Sequence, residues 1–118
     1  MPTLLRKLSE EERAMLHDLA KGIFLDGECY AFAIALHRGI GWPIVGLMLA
    51  DVIRHAAVEH PDGTLYDIRG AVLREELGKP FSIASPYEIR AVAESDLYAA
   101  REIKPSAIDL ASRMAQTL

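Results

Sequence analysis

The chain has 118 residues, 51% hydrophobic and 25% charged, the balance of one folded domain with a single core rather than a disordered tail. With 13 basic against 17 acidic side chains the net charge is -4 and no Lys/Arg cluster is present, which argues against nucleic acid as a partner. One cysteine excludes an internal disulfide framework and a cysteine-based zinc site, and no apolar run approaches the roughly 20 residues of a membrane span, so a single domain over 1–118 in a reducing cytoplasm is expected, with no membrane partner. The start, MPTLLRKLSEEER, turns acidic where a signal peptide needs an apolar core.

Ser9 followed by Glu12 fits a capping box, and Met15, Leu16, Leu19, Ala20, Ile23 and Phe24 recur at helical spacing behind it. This predicts a first amphipathic helix over about 10–24. Leu25-Asp26-Gly27-Glu28 interrupts it. The run CYAFAIAL, 29–36, is apolar on every side, and its three alanines with little β-branching favour a buried helix over a strand. Gly39 and Gly41 suit its exit, and Pro43 prevents continuation.

Residues 43–49, PIVGLML, read as a buried strand, and 53–60 and 64–69 as two more around Pro61-Asp62-Gly63. Residues 71–77 read as a short helix stopped by Gly78 and Pro80, and 87–93 as a further strand. Pro105 opens a last helix with Ile108, Ala111, Met114, Ala115 and Leu118 on one face. The order is α-α-β-β-β-α-β-α, which predicts an α+β fold with helices packed on a small antiparallel sheet.

Pro61-Asp62-Gly63 fits a three-residue hairpin loop, with proline presetting φ at the turn and glycine taking the left-handed position. That loop pairs His60 with Thr64, Val58 with Tyr66 and Ala57 with Asp67. Side chains alternate faces along a strand, so one face carries Ala56, Val58, His60, Thr64, Tyr66 and Ile68. The other carries His55, Ala57, Glu59, Leu65, Asp67 and Arg69. His55 then lies diagonally across from Asp67, with small Ala57 leaving room between them. A loop one residue longer or shorter would separate them onto opposite faces.

Cys29 falls at the start of the buried helix, where free N–H groups and the helix dipole favour a thiolate and can donate to an oxyanion. A histidine can take the thiol proton and return it to a leaving group. A carboxylate behind it fixes the imidazole. Cys29, His55 and Asp67 supply those roles in chain order. The chain has no asparagine to serve as an alternative third member.

GECYAFAIAL followed by HAAVEHPDGTLYDIRG resembles the papain-like fold group of thiol enzymes in its small bacterial forms, including transglutaminase-like, peptidase, amidase and deamidase branches. The resemblance covers about residues 26–70, and the His-to-Asp stretch with its PDG turn and D-x-R-G close carries most of it. It implies a papain-like core, with Cys29 as nucleophile, His55 as general base and acid, and Asp67 as the orienting carboxylate. It further implies a peptide, protein or small amide substrate and neither metal nor organic cofactor. No glutamine precedes Cys29, so the oxyanion hole would use backbone donors, the Cys29 N–H among them. The competing expectations are a catalytically degenerate binding module of the same fold and a small α+β interaction protein.

Other candidates have plainer readings. His60 reads as a strand-end residue, His17 and His37 as helix residues. Asp51 and His55 share i, i+4 spacing, but a predicted strand removes the helical geometry of a metal pair. Arg69 has two readings, a hold on a substrate carboxylate or an ion pair with Glu59, and the ion pair is preferred. Trp42 reads as a packing residue at a strand entrance.

Overall fold

The computed structural model describes residues 9–11, 14, 18, 28–83 and 86–116. The first expected helix lies outside the described residues apart from Glu10, Glu11, Ala14 and Asp18, each helical, and the Ser9–Glu12 capping box lies outside them too. The apolar run after Glu28 is helix α1 (Cys29–Ile40), buried at every position from Cys29 to Leu36. It ends at Gly41, whose φ of 92° lets its N–H bond the His37 carbonyl at 2.8 Å.

Strands β1 (Ile44–Leu49) and β2 (Val52–Glu59) follow as a hairpin. Its two-residue loop, Ala50-Asp51, has φ of 52° and 66°, the left-handed pair that matches strand twist. Strands β3 (Leu65–Asp67), β4 (Gly70–Val72) and β5 (Glu88–Ala91) complete a curled antiparallel sheet in the order β4-β3-β2-β1-β5. Helices α2 (Glu94–Ala100) and α3 (Pro105–Ala115) close the described chain, with α3 packed along α1. The fold is α+β, with helices on a small antiparallel sheet, as the element order predicts.

The expected helix over 71–77 is instead β4 followed by single 3₁₀ turns at Arg74–Glu76 and Lys79–Phe81. Gly70, at φ 90°, turns the chain back so that Gly70, Ala71 and Val72 pair with Asp67, Tyr66 and Leu65. The ladder thus overrides the helical propensity of AVLREEL. Helix α2, not anticipated, starts where the Asp96 carboxylate accepts the Ala93 N–H at 2.8 Å.

The sheet has two covered faces. On one, Phe32 and Ile34 of α1 pack with Ala56, Val58, Ile68, Leu97 and Ile108. On the other, Val45, Leu47, Ala57 and Leu65 lie beneath Leu77, Phe81, Ile83 and Tyr87 of the segment after β4. Gly78 is required in that segment, because a Cβ there would stand 2.9 Å from both the Ile83 carbonyl oxygen and the Tyr87 ring. No described helix is long and apolar enough to cross a membrane.

Candidate active site

The hairpin register is set by its turn. His60 N–H bonds Thr64 O and Gly63 N–H bonds His60 O, both at 2.8 Å, with Gly63 at φ 92°. The Asp62 carboxylate accepts the Thr64 N–H at 2.8 Å. Val58 then pairs with Tyr66 and Glu59 with Leu65. By alternation His55 and Asp67 leave the sheet on the face away from α1. The structure brings them together: His55 Nε2 lies 2.8 Å from Asp67 Oδ2, and the two residues are 0% and 2% exposed.

A β-bulge sits immediately before His55. Leu47 pairs with His55 but Met48 with Ile53, so Arg54 is the extra residue of β2. The bulge sends Ile53 toward α1 while the Arg54 guanidinium stacks 4.7 Å over the Phe81 ring. That same ring covers the imidazole, with centroids 4.8 Å apart.

Burial by itself would raise the Asp67 carboxyl. Hydrogen bonds from His55 and Arg69, and their charges, overturn that and hold it below the ordinary carboxylate range. An ionised Asp67 only accepts, so the His55 proton resides on Nε2. The other ring nitrogen, Nδ1, is buried with no hydrogen-bond partner. Arg69 donates from its backbone N–H and Nε to Asp67 Oδ1, from Nε and Nη2 to Oδ2, and from Nη2 to Leu77 O.

Cys29 is the first residue of α1, after an N-cap Glu28 whose side chain makes no cap. Cys29 belongs to the core on the α1 face and is 3% exposed. Burial pushes the thiol up to about 11. The Ala56 N–H and the charges of Arg101 and Arg54 pull against that rise, and Asp67 adds to it.

The Ala56 contact locates the sulfur. Glu59 N–H bonds Pro43 O on the β1 side of β2, and His60 N–H bonds Thr64 O on the β3 side. Even-numbered amides of β2 therefore face β3. Beyond Asp67, however, the chain has left the ladder and turned into β4. Ala56 N–H points into the gap so opened and meets Cys29 there. Cys29 thus meets β2 at the residue that follows His55, and no hydrogen bond joins it to His55 Nδ1.

Next to it, Tyr30 OH donates to Ile53 O at 2.8 Å and the Arg101 guanidinium lies 5.3 Å over the Tyr30 ring.

Of the plainer candidates, His17 lies outside the described residues. His60 Nδ1 accepts the Asp62 N–H at 3.0 Å and its ring packs edge-on against Trp42 at 4.7 Å. His37 Nδ1 lies 2.7 Å from Trp42 O. Asp51 is at the β1–β2 loop, 3.3 Å from Arg90, away from His55. Glu59 takes Arg74, not Arg69, as its partner at 2.9 Å. The expected Glu59–Arg69 pair is therefore corrected, because the turn after Asp67 folds Arg69 back onto it.

Three contributors escaped the sequence reading: Arg69 as the partner of Asp67, Phe81 over the imidazole and the Ala56 amide. The i, i+2 spacing of Asp67 and Arg69 was the only signal for the first, and the other two have none. Among the described residues no group of three or more His, Cys, Asp or Glu is placed to hold a metal. No family model, curated protein or solved structure matches the chain.

Proposed function

We propose that the protein is a thiol hydrolase or acyltransferase of papain-like type, acting on an amide or related acyl bond in a reducing compartment. Cys29 is the nucleophile, His55 the base and acid, and Asp67 the carboxylate that orients the ring. The observation that carries this reading is the state of the imidazole. One nitrogen is committed to Asp67, and the other is buried without a hydrogen-bond partner on the residue preceding Ala56, whose N–H meets Cys29. An unsatisfied buried polar atom costs about 1–3 kcal/mol, a cost explained if that nitrogen has a proton to take.

The chemistry follows from the resting state. A thiol held near 11 is protonated at neutral pH, so attack is base-assisted rather than made by a preformed thiolate. Cys29 Sγ adds to the acyl carbon as its proton passes to His55 Nδ1, and the carbonyl becomes an oxyanion. The first-turn N–H groups of α1, which lack intrahelical acceptors, serve as its donors. The C–N bond then breaks, the departing amine takes the proton from Nδ1, and a thioester remains. Water, giving a proton to Nδ1, cleaves the C–S bond and the thiol regains its proton. An amine in place of water completes a transfer instead. The substrate class is a peptide, a protein or a small amide.

A second reading has its own support. A cysteine 3% exposed, with its thiol pushed up by burial, suits a non-catalytic module of the same fold that binds rather than reacts. Alkylation by iodoacetamide at pH 7 separates the two. Catalysis requires Cys29 to react faster than a free model thiol, and His55→Ala to slow it by about 100-fold. A slow rate that is indifferent to His55→Ala would instead establish the binding module.

A further inference from the structure

Arg69 grips Asp67 more completely than charge neutralisation needs. Its backbone N–H lies 2.8 Å from Oδ1, Nε 3.1 Å from each carboxylate oxygen, and Nη2 2.5 Å from Oδ2. Nη2 also donates to Leu77 O at 3.2 Å, in the segment that carries Phe81 onto the imidazole. The Arg69 side chain is 20% exposed and that of Asp67 3%. Glu59, the acid expected from sequence to pair with Arg69, is held by Arg74.

We propose that Arg69 is a positioning residue of the Cys29–His55–Asp67 site: it fixes the direction from which Oδ2 meets His55 Nε2 and pins the Leu77–Phe81 cover over the ring. The inference rests on the reading of the site given above. With Oδ1 occupied by the Arg69 backbone and Nε, the carboxylate cannot rotate, and only Oδ2 is presented to the imidazole. A forked guanidinium holds a carboxylate in one plane, which a lysine ammonium does not.

The charge has a second effect. With His55, Arg69 holds the buried Asp67 carboxyl below its ordinary range, so the carboxylate stays an acceptor for His55 Nε2. The other charged or titratable groups around the pair are Arg54, stacked on Phe81, and the Cys29 thiol, whose proton Nδ1 would take.

The test compares wild type, Arg69→Gln and Arg69→Lys by histidine side-chain NMR, by the pH profile of Cys29 alkylation and by thermal melting. In wild type the His55 Nε2–H exchanges slowly and Nδ1 is unprotonated at pH 7. Arg69→Gln speeds that exchange by about tenfold, as expected for losing a charge-assisted clamp. It also moves the acid limb of alkylation up by about one pH unit, because Asp67 loses the cation that keeps it ionised. Arg69→Lys restores the limb but not the slow exchange.

Unchanged exchange and an unchanged limb, with only a lower melting temperature, would reduce Arg69 to a structural ion pair. Where Arg69→Gln does not fold, wild-type exchange in Arg69→Lys is enough to overturn the proposal. An inert Cys29 in every variant would remove the catalytic reading, while the exchange rates would still decide the role of Arg69.

Discussion

Strand β2 serves two cores with different requirements. Toward α1 it sends Ala56 and Val58 into a layer with Phe32, Ile34 and Ile68, where stabilisation comes from area and shape. Away from α1 it sends His55 and Ala57 among Leu47, Leu65 and Leu77, and His55 brings in Asp67 and Arg69. A side chain of the first layer tolerates any neighbour of the right volume. A buried imidazole and carboxylate tolerate only particular partners at particular angles. One face therefore supplies cohesion, and the other spends part of its apolar surface on an arrangement of protons.

Cutting into each face should expose that contrast. Phe32→Ala, in the α1 layer, should cost about 4 kcal/mol in denaturant unfolding by leaving a cavity. It should leave the His55 side-chain resonances in place, and their collapse would mean that the two cores are not separable. Asp67→Asn should cost less, about 3 kcal/mol at pH 7, because it leaves the Arg69 charge partly buried without its counter-ion. This loss has a pH signature. Asp67 titrates below its ordinary range, so its stabilisation is complete above the unfolded-state value and disappears as pH falls through the folded one. The gap between wild type and Asp67→Asn should close on acidification, and a constant gap would contradict the assigned ionisation. Gly78→Ala should cost about 2 kcal/mol through a clash in the cover, and should broaden the Phe81 and His55 resonances ahead of those of Phe32. Equal broadening on both faces would show that the cover segment is not a local element.

The parts of this arrangement that were legible from sequence are those written locally. Pro61-Asp62-Gly63 encodes a loop of definite length, and loop length sets the parity that puts His55 and Asp67 on one face. CYAFAIAL encodes a helix with no polar face and places Cys29 at its start. What the sequence did not disclose depends on parts of the chain meeting. AVLREEL has helical composition, yet Gly70 hands its first residues to a ladder with β3. Asp67 is the acid nearest to Arg69 in sequence, but alternation along an unbroken strand offers Glu59 as well, and only the turn after Asp67 folds Arg69 back onto it. Phe81 reaches His55 from 26 positions away through two 3₁₀ turns that no periodicity announces. Whether Cys29 is a working nucleophile is a matter of proton affinity and access, which residue order does not specify.

The brevity of β3 has a consequence of its own. Had this strand run two residues further beside β2, the Ala56 amide would have found a carbonyl and the sheet would have been more regular. The seam would then have been zipped shut, with no vacancy into which an atom from the neighbouring helix could reach. Lengthening the ladder is the usual route to a sturdier β protein, and in this chain it would close the gap that the Ala56 amide faces.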